Sequence, residues 1–551
     1  RTLVLIAAAL LFVGSLALLL GIGREFFPQV DAGQITLFVR TPSGTNLEAA
    51  EARIVDVERF IRDQIPANER KMIISELGLV PDWSAAYTAN SGTQDCTVKV
   101  QLSEERTKSA QEYAIAVRAA FEKERKFSDL RVSFDTGGMV SAALNNGASS
   151  PIDIQIEGGT LSGSLALAKK IRDEVSGIPG AADVHIRQRL DAQQRIILVD
   201  RKKAADAGLD LAQVINQVAT AMNSSVSLKR NFWIDYKSGN QYFVGVQYPE
   251  NPSQRLGDVL DIPATGTNKM HPVKLGSLVK IEPGSAPVEM NHVNLARVFD
   301  ILINTQNRDI GGVAGDIQDR LKNLQQAVWA NEAKRGAKTP TILENQGLIF
   351  PDGMRLNVRG EYGRMIESFG SLGLGLAGAS ILVYLLLVVL FRSFLSPLII
   401  MFAIPLGLIG VLAMLFITHT TLNVQSSMGV IFMVGIVVAN GVLLVDFANK
   451  QRRLGAPVQR AITTAAGIRF RPIMMTFLAT FLDLVPMAIG LGRGSEANVP
   501  LTRAVVGGLL TSTFLTLIVV PIIYTLLVRD TGRPAVDVEA ELAKSDLAQA
   551  S

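Results

Sequence analysis

Three polar side chains stand where an apolar chain would not carry them without cause. The stretch VGIVVANGVLLVDFANK (residues 434–450) holds Asn440 inside an unbroken apolar run and closes on Asp446 and Lys450. A second run, TFLATFLDLVPMAIG, holds Asp483 near its middle. A carboxylate at bilayer depth costs ~3 kcal/mol on insertion scales, so it should face protein or water and have a partner. Its chemistry would be proton or ion coupling, or contact with a wet pathway. The plainer alternative is a structural hydrogen bond between helices. Asn440 and Asp446 lie ~9 Å apart along a helix and about 240° around it, so they do not share a face. Asn440 reads equally as an interhelical bridge or as a pathway residue. Asp446, four residues before Lys450, reads as an interfacial ion pair.

No other set of residues suggests chemistry. The chain has one cysteine, Cys96, and four scattered histidines without zinc-site spacing. There is no G-x-S-x-G, no P-loop and no metal cluster. The extramembrane methionines (72, 139, 222, 270, 290 and 354) lack the clustering of a soft-metal relay. An enzyme, a resident cofactor and a bound metal are therefore not expected. GLGLAG (373–378) matches G-x-G-x-x-G, but it lies in a membrane run rather than after a strand. Small residues that let helices pack closely explain it better. The net charge of +4, from 54 Lys plus Arg against 50 Asp plus Glu in 551 residues, gives a nucleic-acid partner no support.

The elements that must carry Asn440 and Asp483 are membrane helices. Residues 2–23 are uncharged and long enough to cross ~30 Å of hydrocarbon. This run is too long and lacks the cleavage site for a signal peptide, and the chain has no initiator methionine, as if cut from a longer one. Further spans are expected at 369–391, 395–417, 427–445, 473–491 and 504–528, six in all. Pro397, Pro405, Pro486 and Pro521 fall in or beside them, each removing a backbone donor. The loop after the fourth span carries Lys450, Arg452, Arg453, Arg460, Arg469 and Arg471, which marks the cytoplasmic side. Both termini are then cytoplasmic, and the region between the first two spans lies outside the cytoplasm.

That region reads as soluble α/β. TLFVRTPS, CTVKVQL, LRVSFDT, PIDIQIEGG, VFDILINTQ and MRLNVRG look like strands. NLEAAEARIVDVERFIRDQI, EYAIAVRAAFEKERK and LALAKKIRDEVSG look like amphipathic helices. FWIDY and QYFVGVQY flank KSGN as a hairpin, in which Phe232, Trp233, Tyr242 and Phe243 should pack across strands. About three small α/β units are expected, one with a hairpin-rich insertion, and NNGASS (145–150) suggests a boundary.

Several motifs in order carry a resemblance. VLFRSFLSPLIIMFAIPLGLIG, VGIVVANGVLLVDFANK, RFRPIMMT and GLGRGSEANVPLTRAVVGGLLTSTFLTLIVVPIIYTLL resemble the hydrophobe/amphiphile efflux branch of the resistance–nodulation–division superfamily, and FFPQVDAGQITLFVRTPSGTNLEAAEARI resembles its passage from the seventh span into the porter region. The resemblance spans nearly the whole chain except 325–350. It implies the second half of a twelve-span permease: six transmembrane helices with a large periplasmic α/β region of ferredoxin-like (βαβ) porter subdomains and a docking insertion. The implied parts are a span at 1–24, a porter subdomain at 25–148, and a second at 149–190 with 289–362. A docking insertion at 191–288, five spans in 363–530 and a cytoplasmic tail at 531–551 complete them.

By resemblance the activity is proton-driven multidrug export from the bacterial inner membrane. The implied partners are the missing N-terminal half, further protomers of a homotrimer, a periplasmic adaptor protein, an outer-membrane channel and the lipid bilayer. The family's relay pairs two fourth-span aspartates with a tenth-span lysine. Here Ala439 takes the lysine's place and Asn440 follows it, so Asn440 is the position the resemblance carries over. Asp483, which stands where relatives often have glycine and is either a local substitution or a compensating polar group, and Asp446 complete the expected proton-relay neighbourhood. Arg471 and Thr476 lie in matching segments without an assigned role. The rival expectation is a non-transporting scaffold whose extracytoplasmic domains bind a partner.

Overall fold

The computed structural model describes residues 2–78, 90–137, 150–223, 225–227, 230–246, 256–266, 272–333, 348–490 and 495–529. The expected boundary at NNGASS, Met139, Met270 and the tail at 531–551 lie outside the described residues, apart from Ser150. The chain divides into two units, residues 189–288 and the remainder.

After the first membrane helix, α1 (Thr2–Ala17), come β1 (Gln34–Arg40), α2 (Leu47–Gln64), β2 (Arg70–Leu77), β3 (Asp95–Leu102), α3 (Ala110–Lys123) and β4 (Arg131–Asp135). The four strands form an antiparallel sheet in the order β2-β3-β1-β4. Alternation decides its faces. Ile35, Leu37 and Val39 of β1 join Val98 and Val100 of β3 against Ile54, Val57 and Ile61 of α2 and Val117 of α3. Phe38 and Arg40 consequently point to the opposite face. Both helices begin on side-chain caps: Asn46 accepts from the Ala49 N–H at 2.9 Å, and Ser109 with Glu112 forms a capping box. Each cap is worth about 1 kcal/mol.

A second sheet starts with β5 (Ile152–Glu157), α4 (Leu161–Val175) and β6 (Ala181–Ile186). The smaller unit follows. It holds β7 (Ala192–Val199), α5 (Arg201–Asp206), α6 (Leu211–Asn223), β8 (Asn231–Ile234), β9 (Gln241–Val244), α7 (Leu256–Leu260), β10 (Pro263–Ala264), β11 (Val273–Lys274) and β12 (Val279–Ala286). β7 pairs with β12 along its whole length, and β8 with β9. Phe232 packs at a tilt on its cross-strand partner Phe243, ring centroids 5.0 Å apart, and Trp233 on Tyr242 at 5.8 Å. The second sheet resumes with β13 (Asn291–Val293), β14 (Ala296–Thr305), α8 (Ile310–Ala333), β15 (Leu348–Ile349) and β16 (Arg355–Gly360). β14 pairs with β6 and β5, and β5 with β16. Through β6-β14-β5-β16 the first sheet's order recurs, with residues 189–288 inserted between its second and third strands. The expectation of three α/β units is thus corrected: two sheets share one topology, and among the described residues the insertion has only two-stranded pairings.

The chain returns to the membrane as α9 (Glu361–Phe391), α10 (Leu395–Met401), α11 (Ala403–Ile417), α12 (Val424–Arg453), α13 (Val458–Ile489) and α14 (Val499–Leu527). With α1 these supply six segments long and apolar enough to span, α10 and α11 together making one. The break between α10 and α11 lies where Pro405 cannot donate to the Met401 carbonyl. Several helices outrun their apolar windows, because helical hydrogen bonding continues past the hydrocarbon; α9 begins at Glu361. α14 packs against α11 at a glycine crossing: a Cβ on Gly410 would meet the Gly507 carbonyl at 2.1 Å. GLGLAG does not do this. A Cβ on any of its three glycines would meet nothing within 4 Å, so the close packing expected of them is absent among the described residues.

Candidate functional site

A buried ion pair links the two sheets. Asp183, within β6 and with φ of 51°, receives the Arg118 guanidinium from α3 at 3.0 and 2.8 Å. The same carboxylate accepts from the Phe134 N–H at 3.0 Å and from Asn304 Nδ2 at 2.9 Å. Arg118 also lies over the Phe134 ring, 4.8 Å from its centroid. The left-handed backbone of Asp183, where β6 slips register against β14, aims its side chain at the other sheet, so β4, β6 and β14 are tied together there.

Beside this clamp opens a cleft of about 360 Å³. Phe38, Arg40 and Arg131 line it from the first sheet, on the face that alternation turned away from α2 and α3. Arg172 of α4 and Val184 and His185 of β6 line it from the second sheet's side. Nδ1 of His185 lies 2.7 Å from the Asp183 carbonyl and so donates to it, which leaves Nε2 as the acceptor of a neutral ring. Burial first, and then Arg40, push this imidazole down to about 4. Such a cavity is large enough to hold a small organic molecule.

In the membrane the three residues singled out by sequence are not brought together. Asn440 lines a cavity of about 10 Å³, near the size of one water, with Ser512, Thr513 and Thr516 of α14 and Ile473 of α13. The hydroxyls of Thr513 and Thr516 are buried without a partner among the described residues. Asp446 pairs with Lys450 at 2.9 Å on a half-exposed surface. Asp483 is exposed on α13, as is Thr476, and Arg469, Thr476 and Asp483 recur every seven residues along that helix. Seven residues fall about 20° short of two full turns, so the three share a stripe. The Arg469 guanidinium covers the Phe447 ring at 5.2 Å, and its Nε is buried without a partner among the described residues.

Residues 1–528 match the AcrB/AcrD/AcrF family. The chain belongs to this family. It is a family of resistance–nodulation–division permeases, not of enzymes, and the chain is accordingly a membrane-embedded protein with a large extracytoplasmic region. It is similar to the cobalt-zinc-cadmium resistance protein CzcA of Cupriavidus metallidurans, with 25% identity over 95% of this chain and 47% of that protein. It is also similar to the multidrug resistance protein MdtC of Erwinia amylovora, with 27% identity over 94% of this chain and 47% of that one. A heavy metal efflux pump in crystal form I superposes with a TM-score of 0.77 and 25% identity, over 96% of this chain and 50% of that structure. The chain spans about half the length of the curated relatives it matches. Motif reading missed the arginine-lined cleft of this family member, whose residues are strung between 38 and 185 with no common spacing. The only available signal was the alternation of β1, which turns Arg40 away from the core.

Proposed function

We propose that the chain is one half of a proton-driven efflux transporter of the bacterial inner membrane, exporting hydrophobic or amphiphilic compounds through a tripartite envelope complex. The observation that carries this reading is the cleft of about 360 Å³ between two sheets of like strand order, hinged at the Arg118–Asp183 pair. Two sheets linked through side chains, the Arg118–Asp183 pair and the Arg40 bond to the Arg187 carbonyl among them, can open and close around a guest.

In this reading the sheets are ferredoxin-like porter subdomains, at 25–148 and at 149–190 with 289–362. Residues 191–288 form the docking insertion. Residues 1–24 and 363–530 carry the six spans, and 531–551 form a cytoplasmic tail. The basic loop after α12 faces the cytoplasm, as do both termini. The working assembly adds a complementary six-span half, further protomers of a trimer, a periplasmic adaptor and an outer-membrane channel. The double length of the relatives supports the first of these. Asn440 with its unpartnered threonine hydroxyls, and the Arg469–Thr476–Asp483 stripe, line the proton path, with Asp446 at its cytoplasmic edge. Both features leave polar groups waiting for a partner that a second half would bring.

Co-expression with the complementary half tests this. Dye should leave the cells, and a protonophore should abolish the export. Accumulation unchanged by the pair, with the assembly intact, would instead favour a scaffold role, which the alanine at 439 also suits. Persistence of proton-coupled export in Asp483→Asn would remove that residue from the path.

A further inference from the structure

We infer that the cleft between the two sheets selects amphiphiles with an anionic headgroup, a carboxylate or sulfonate, over neutral compounds and bare divalent cations. The inference rests on the reading of that cleft as the substrate site. Register supplies the first argument. Arg40 and Arg131 are direct partners across β1 and β4, and both line the cleft. Side chains so opposed have β-carbons ~5 Å apart, and like charges there destabilise the sheet. An oxyanion set between them reverses the sign of that term.

The second argument is the state of each charge. Arg172 reaches the cleft from α4 and pairs at 2.7 Å with its neighbour Asp173, which is itself exposed. Arg40 donates to the Arg187 carbonyl at 2.7 Å and lies 4.0 Å from Asp95. The Arg131 side chain is exposed and has no ion-pair or hydrogen-bond partner among the described residues. The lining carboxylate, Asp183, is already engaged by Arg118, Asn304 and the Phe134 N–H. A bare divalent cation would meet three guanidinium groups, a carboxylate already bound and a single imidazole nitrogen, Nε2 of His185. A carboxylate or sulfonate would find planar donors suited to two-point contact. Phe38, Val132 and Val184 provide apolar surface for a hydrocarbon body.

The test uses the full chain in neutral-lipid nanodiscs, with empty discs subtracted. The probes are dansylaminoundecanoic acid, its methyl ester, sodium acetate and cadmium chloride. The acid should bind about tenfold tighter than the ester, as expected of one charge-assisted contact. Arg131→Ala should remove that advantage without touching ester binding, and Arg131→Lys should restore most of it. Equal binding of acid and ester, or no binding of the acid, overturns the inference. Displacement of the acid by cadmium, or by acetate at matched concentration, overturns it as well. Ser176→Trp separates the two levels: Ser176 is an exposed lining residue, and an indole there should block both probes. If both probes bind Ser176→Trp as before, the cleft is not the binding site and the underlying reading fails.

Discussion

The Asp183 carboxylate and the Arg118 guanidinium meet at 2.8 Å with both side chains about nine-tenths buried, and through them two sheets from separate stretches of chain share one charge pair. Removing one partner of such a pair leaves the other charged in a dry place. Asp183→Ala should therefore cost about 3–5 kcal/mol, whereas the double variant Arg118→Leu with Asp183→Leu should cost less than either single change. Denaturant unfolding of the purified chain measures both. Additive losses would show that the pair does not act as a unit.

Asp153 gives the extracytoplasmic region a pH dependence. Burial, then the neighbouring Asp300 carboxylate, push its carboxyl up to about 8, and Asp153 Oδ1 has no partner among the described residues. The folded chain thus holds a proton that the unfolded chain releases near 4, so stability falls as pH rises from about 4 to about 8. Asp153→Asn should flatten that fall and raise the melting temperature more at pH 8 than at pH 5. A variant melting curve that keeps the parent's pH slope would acquit Asp153.

Gly360 joins β16 to α9 at φ 83° and ψ −153°, a region essentially restricted to glycine. A Cβ there would meet the Pro151 carbonyl at 2.6 Å, and that same carbonyl accepts from the Glu361 N–H at 2.8 Å. Gly360→Ala should destabilise by ~1–3 kcal/mol or more. Gly370→Ala, within the helix and with open space around it, should be neutral or slightly stabilising. Thermal unfolding of the two variants side by side makes the comparison, and equal melting points would refute it.

Cys96 should resist alkylation. It is 1% exposed on β3, and burial pushes its thiol up to about 12, so almost no thiolate exists at neutral pH. Maleimide should label it in denaturant and not in the folded chain, with mass spectrometry as the readout.

Local signals made the scaffold legible. The six apolar runs, the strand alternation of TLFVR and the helix after Asn46 are written in neighbouring residues. β2 was harder: its sequence, RKMIISEL, shows no clean alternation, and it edges the sheet beside β3. β12 reads VKIEPGSA, which looks like a turn, and it becomes a strand because β7 offers it a complete ladder. The cleft was hidden for a related reason. Arg40, Arg131 and Asp183 belong to no motif, and only register and the left-handed backbone of Asp183 bring them around one cleft. Asp483 stood out as a lone charge, but its place on the Arg469–Thr476 stripe needed an extent for α13 that hydropathy understates.

The insertion leaves the second sheet after β6 and rejoins it at β13 and β14, and β6 and β14 are hydrogen-bonded neighbours through Ile186 and Ile301. Topologically, residues 189–288 occupy the loop of a hairpin. Strand pairing at the stem does not depend on what the loop contains, so this segment can lengthen, shorten or be exchanged without renumbering a single ladder. Selection can therefore rework the head for new neighbours while the stem keeps its geometry, and a graft made at 188 and 289 should inherit that freedom.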